Sequence, residues 1–259
     1  MKLRKIIAAL AATTIAASAM AVVASAHEAF LMFTDTNWGW GCWSAAEFPA
    51  GTVDITADGT YTVFVDSTLP TAQVEDADTG EMVGAAATGA QVFCVDIDGL
   101  ATAKNAGAGA DGYDDCKTGK EKQAFAEAAG IVVSDVSITT TNADGSTTDV
   151  AVNQDNIIFG DIEGNGKIRI EIFNAYGDTV NAPAVDTADI NFDEGIAVTF
   201  TISGVGEAAA EAPADTAVDT TAPTTGDKQS PDTGVEGVAA VAGVAVLAAG
   251  ALLVSKKRK

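Results

Sequence analysis

Every tryptophan of this 259-residue chain falls within six positions, Trp38-Gly39-Trp40-Gly41-Cys42-Trp43. In an extended stretch alternate side chains share a side, which sets Trp38 and Trp40 together, about 7 Å apart, with Trp43 opposite. Two coplanar indoles at that spacing match successive sugar rings. The apolar C–H faces of a sugar stack on aromatic faces while nearby polar groups bond its hydroxyls. The alternating glycines suit an irregular, exposed loop better than a central strand. The competing reading is that a tryptophan fills the core. Asn174, Tyr176 and Asp178 follow a strongly alternating run. They offer further polar and stacking contacts to a sugar, or else build a strand-ending turn.

Other chemistry is thinner. Asp161-Ile162-Glu163-Gly164-Asn165-Gly166 opens like an EF-hand loop, with oxygen side chains at alternate positions and then Gly. Its twelfth position is Ile172, and a strand pattern follows where a helix belongs, so the segment reads as an acidic hairpin turn. Asp111, Asp114 and Asp115 form a second acidic loop. No cofactor is expected, with Ca²⁺ at these loops the alternative kept open. The single histidine, His27, stands where a mature chain would begin and is expected to be mobile, which argues against Ser-His-Asp or Cys-His catalysis. A glycosidase needs only two carboxylates, but none cluster on one strand. Glu171 alternates with Arg169 as on an ion-paired surface face. The chain therefore reads as a non-enzyme. The three cysteines, Cys42, Cys94 and Cys116, leave one thiol over or all three reduced. A Cys94–Cys116 bridge and a bridge from Cys42 to either are all open.

The two ends place the protein. Residues 1–26 have a basic start (Lys2, Arg4, Lys5), an Ala-rich apolar middle and Ala24-Ser25-Ala26 at the close. That is the pattern of a secretory signal peptide. The other end reads Ser230-Pro231-Asp232-Thr233-Gly234, then an apolar run from Val238 to Val254, then Lys256-Lys257-Arg258-Lys259. An apolar run of that length can cross a bilayer, and a basic tail stays on the cytoplasmic side. The order resembles the sorting signal of proteins that a sortase links to Gram-positive peptidoglycan. The resemblance implies cleavage between Thr233 and Gly234. Ser230 stands where that family has Leu. A plain C-terminal membrane anchor is the competing reading. Either way the expected location is the outer cell surface, anchored in the wall, with membrane contact only through the C-terminal segment before sorting.

The chain carries a net charge of −22; without the two processed ends, seven basic and 35 acidic residues remain, a balance near −28. Such a chain is repelled by nucleic acid and anionic lipid. Residues 207–229 are rich in Ala, Pro, Thr, Asp and Glu and lack aromatics, as a disordered linker does. Residues 27–206 are long enough for one well-cored domain.

Within that domain the pattern is short β-type runs bounded by Gly, Asp and Asn. Runs are expected at 29–33, 52–56, 60–66, 91–97, 131–141, 147–152, 156–159, 167–173 and 196–202. The second and third are joined by Ala57-Asp58-Gly59, with Gly59 at positive φ. Ile168, Ile170 and Ile172 face inward, with Lys167, Arg169 and Glu171 outward. One helix is expected at 120–129, and 101–119 as a long surface loop. These elements predict an all-β, antiparallel β-sandwich with one short helix.

Ala29-Phe30-Leu31-Met32-Phe33-Thr34-Asp35-Thr36-Asn37-Trp38, Asp58-Gly59-Thr60-Tyr61-Thr62-Val63 and Lys167 to Gly177 resemble a domain of gut Firmicutes surface proteins. That domain is similar to the starch-binding β-sandwich modules of amylolytic ruminococci. The likeness runs from Ala29 to about Gly204. It implies non-catalytic binding of an extracellular polysaccharide, starch-type first, with Trp38, Trp40 and Trp43 stacking and Asn174 and Tyr176 assisting. A structural or adhesive protein that binds a partner protein is the alternative, and a glycosidase the third.

Overall fold

The computed structural model describes residues 26–206. The expected signal peptide up to residue 25, the linker 207–229 and the sorting signal with Thr233 and Gly234 lie outside the described residues. Among the described residues no helix is long and apolar enough to cross a membrane.

Among the described residues fourteen strands and two α-helices follow in order. They are β1 (His27–Thr34), β2 (Gly41–Cys42), β3 (Val53–Ile55), β4 (Gly59–Asp66), β5 (Gln73–Glu75), β6 (Met82–Gly84), β7 (Ala87–Thr88) and β8 (Val92–Ile97). Then come α1 (Leu100–Ala103), α2 (Gly119–Ala128), β9 (Val132–Thr141), β10 (Thr147–Val150), β11 (Ile158–Gly160), β12 (Ile168–Asn174), β13 (Asn191–Phe192) and β14 (Gly195–Ser203). The fold is all-β and antiparallel. One sheet runs β11-β12-β8-β1-β2, with β3 also beside β1, and a second runs β10-β9-β14-β4. Two small pairs, β13-β7 and β5-β6, complete it.

The alternation that predicts these strands also fills the core. Leu31 and Phe33 of β1, Phe93 and Val95 of β8 and Ile168, Ile170 and Ile172 of β12 share one buried cluster with Val63, Val65, Val198 and Phe200 of the second sheet. The runs expected at 131–141 and 147–152 form the hairpin β9-β10: Gly145 sits at φ +79° and its N–H donates to Asn142 O. Helix α2 starts one residue before its predicted place. Thr118 caps it, and Glu121 reaches back to the cap in a capping box.

Several expectations are corrected. The 57–59 turn does not close a hairpin, because β3 joins β1 in one sheet while β4 joins β14 in the other. Gly59 is not at positive φ. The stretch 101–119 is more than a surface loop: α1 begins before it, and Ala101, Ala106 and Tyr113 are buried. His27 is not mobile; it opens β1, is buried, and its Nδ1 lies 3.0 Å from Asp98 O. The three thiols are all free.

The outer face of the larger sheet is also corrected. All six residues of β8 are buried, so this sheet is covered on both sides. Arg169 and Glu171 are therefore buried rather than solvated. Arg169 forks onto Asp96, Nε to Oδ1 at 2.7 Å and Nη2 to Oδ2 at 3.0 Å, and also bonds Glu163. Burial opposes the charged guanidinium, but the Asp96 carboxylate outweighs it and raises the pKa. Glu171 has no cation beside it in the hydrogen-bond pattern. It accepts from Thr179 Oγ1 at 2.7 Å, Thr179 N at 3.3 Å and Asn174 Nδ2 at 3.3 Å.

Candidate functional site

β1 and β12 each run antiparallel to β8, so they run parallel to one another. Thr34 and Asn174 both stand opposite Val92. The tryptophan segment after β1 and the Tyr176 loop after β12 thus leave the same end of the sheet. Their starting points are two strand spacings apart, about 10 Å. Gln91 joins them: its N–H donates to Thr34 O and its carbonyl accepts from Ala175 N. Thr34 Oγ1, buried at this end, has no hydrogen-bond partner among the described residues.

The tryptophan segment opens in a turn through Trp38 and Trp40, and only Gly41–Cys42 is extended, as β2. Buried Asp35 directs it. Its carbonyl accepts from Trp38 N at 3.2 Å, and its Oδ1 accepts from Gly39 N at 2.7 Å and Trp40 N at 3.1 Å. Trp38 takes φ +59°, a left-handed conformation rare for a bulky residue. The consequence corrects the predicted pairing. Trp40 is fully buried, edge-on to Phe192 at 4.8 Å, and its Nε1 donates to Ala85 O at 3.0 Å. It belongs to the core and presents no face for stacking. Trp38 and Trp43 come together instead, with ring centroids 6.0 Å apart and planes 20° apart. They are 52% and 42% exposed. Trp43 N donates to Glu47 Oε2 at 2.6 Å, which fixes its backbone.

Asn174 also changes role. It is buried, its Oδ1 accepts from Tyr176 N at 3.0 Å, and its Nδ2 is committed to Glu171. It shapes the turn and is not free for a sugar. A Cβ on Gly177 would lie 2.7 Å from Glu171 Oε1, so only glycine lets the loop fold this closely over the carboxylate. Asp178 then bonds Gly119 N at the start of α2. Tyr176, by contrast, is 73% exposed. An open groove of about 820 Å³ beside this loop is lined by Phe173, Val180, Pro183 and Val185, with none of the tryptophans.

The carboxylate of the first acidic loop is occupied by backbone N–H groups. Asp161 is fully buried; Oδ1 accepts from Asn165 N, and Oδ2 from Ala108 N and Gly166 N. Among the described residues no three His, Cys, Asp or Glu side chains gather as metal ligands would.

Asp35 and Gln91 are the residues of this site that sequence reasoning missed. An Asp three residues before Trp38 and four before a Gly is a turn signal, but nothing in the sequence marks Gln91. Comparisons with protein-family models, characterised proteins and solved structures give no match.

Proposed function

We propose that this chain is a non-catalytic, wall-anchored surface protein whose β-sandwich domain binds an extracellular polysaccharide. The observation that carries this reading is the Trp38–Trp43 pair, half-exposed on a turn that the buried Asp35 carboxylate braces through Gly39 N and Trp40 N. A soluble domain gains nothing in stability from leaving two indoles in water. A sugar ring gives them an apolar face to cover. Exposed Tyr176 at the same end of the sheet supplies a further platform. The two sheets that share one core support a sandwich. The engagement of Asp35, Asp96, Asp161 and Glu171 in internal hydrogen bonds supports a scaffold rather than an acid/base pair. Starch-type α-glucan is the first ligand because of the resemblance of 29–204 to starch-binding modules. The sortase and peptidoglycan link, through Thr233 and Gly234, rests on the sequence of the C-terminal segment.

A second reading has one observation in its favour. The β5-β6 hairpin leaves Val74, Met82 and Val83 exposed, a surface suited to a protein partner.

The test is retention of the full chain on insoluble starch, cellulose, xylan and mucin, beside a Trp38→Ala/Trp43→Ala variant checked for folding. Retention on one glycan by the wild type, lost in the folded variant, is the expected result. No retention on any of the four rejects glycan binding and moves weight to the hairpin and adhesion.

A further inference from the structure

The geometry points to a division of labour within the indole pair: the sugar stacks on Trp38 alone, and Trp43 is a positioning residue behind it. This rests on the glycan-binding reading above. A sugar ring held between two aromatic faces needs about 3.5–4.0 Å of clearance on each side, roughly 7–8 Å in all. The indole centroids are 6.0 Å apart, so no ring enters between them. The ligand must use an outer face. Trp43 is hemmed in. Its Nε1 lies 3.5 Å from where a Cβ on Gly41 would sit, Gly41 is bonded in both directions to the Thr71 hydroxyl, and Glu47 holds the Trp43 backbone. Trp38 is the more exposed of the two. Its left-handed backbone, with its N–H on Asp35 O, accompanies an indole that stacks on Trp43 and keeps about half of its surface in solvent. Strained backbone held by its surroundings is a recurrent property of ligand contacts.

The assignment predicts an asymmetry that a merely hydrophobic pair would not show. Trp38→Leu keeps bulk but removes the flat face. Trp43→Phe keeps a flat backing. Affinity of the full chain for maltoheptaose falls about tenfold in the first and changes by no more than about threefold in the second. A fluorescence measurement separates contact from support. In Trp43→Phe the remaining indoles are Trp38 and the buried Trp40. Saturating maltoheptaose should then shield Trp38 from acrylamide quenching. Equal losses in the two variants, or no shielding in Trp43→Phe, overturn the division while leaving glycan binding in place. A wild-type chain that ignores maltoheptaose removes the starch reading and this assignment with it.

Discussion

Trp38→Gly and Trp40→Ala stand two residues apart, yet they should have opposite consequences. At Trp38 the terms cancel only in part. A left-handed backbone costs an L-residue about 1–2 kcal/mol, and glycine removes that cost. The variant loses the stacking with Trp43, about 0.5–1.5 kcal/mol beyond area burial, and the burial of the covered half of its indole, about 1–2 kcal/mol. It also gains unfolded-state freedom, which costs about 0.4–1 kcal/mol. The net change is a loss of about 1–2 kcal/mol, a shift of roughly 2–8 °C in Tm for a folded unit of this size. At Trp40 nothing cancels. The indole is fully buried against Phe192, and truncation leaves the Ala85 carbonyl without its donor. Trp→Ala in such a site costs about 3–5 kcal/mol. The assay is paired: thermal and urea unfolding for stability, starch retention for function. Trp38→Gly should melt only a few degrees below wild type and fail to bind. Trp40→Ala should melt well below wild type, with any loss of binding following the loss of fold. A Trp38→Gly protein destabilised as strongly as Trp40→Ala, or one that still binds, refutes the assignment of Trp38 to a ligand.

Other outcomes follow from the interior. Asp96→Ala strips Arg169 of its buried partner and should cost about 3–5 kcal/mol in urea unfolding; a loss under about 1 kcal/mol would show that Glu163 alone suffices. Burial, then the Glu47 charge, pushes the Cys42 thiol up to about 11, and burial raises Cys94 well above the ordinary value. At pH 8 only about one Cys42 thiol in a thousand is thiolate, so a thiol reagent should label Cys116 alone in the native protein and all three after unfolding. Fewer than three after unfolding without reductant would reveal a disulfide. Glu121 accepts from Lys117 N at 2.6 Å and Thr118 N at 2.8 Å, and these backbone bonds hold its pKa below the ordinary 4.5. Because the folded value is depressed, its stabilisation is full above the unfolded value and fades as pH falls through the folded one. The Tm advantage of wild type over Glu121→Gln should therefore shrink below about pH 4.5; an advantage independent of pH would place it in shape rather than charge.

Where one face of an element meets water, the sequence was legible. The alternation of Val63 and Val65, or of Val198, Phe200 and Ile202, reads directly as a strand with an inner face. It failed where both faces are covered. Arg169 and Glu171 look solvated by alternation, but the fork of Arg169 onto buried Asp96 and a glycine-tight loop over Glu171 take them out of water. Period-2 patterning carries no information about what lies beyond the second face. The two- and three-residue strands β2, β5, β6, β7 and β13 are too short to show a period at all. In the tryptophan segment, the assumption of an extended backbone paired the wrong two indoles. Asp35 bends the chain, and a bend reverses which side each residue takes.

That bend explains how one loop can hold a core anchor and a surface platform within three residues. Fully burying Trp40 is worth several times the strain at Trp38, on the order of 3–5 against 1–2 kcal/mol. The loop is thus held in its strained form by the residue that does not face solvent. Asp35 couples the two, since the same carboxylate oxygen accepts from Gly39 N and Trp40 N. If Trp40 left the core, that oxygen would lose a donor and the turn would lose its reason to be left-handed at Trp38. A conservative Trp40→Phe, which removes the bond to Ala85 but keeps an aromatic ring against Phe192, should therefore weaken ligand retention without any contact to ligand. Restoring the backbone preference with Gly at position 38 would not rescue it, because the stacking face would then be gone.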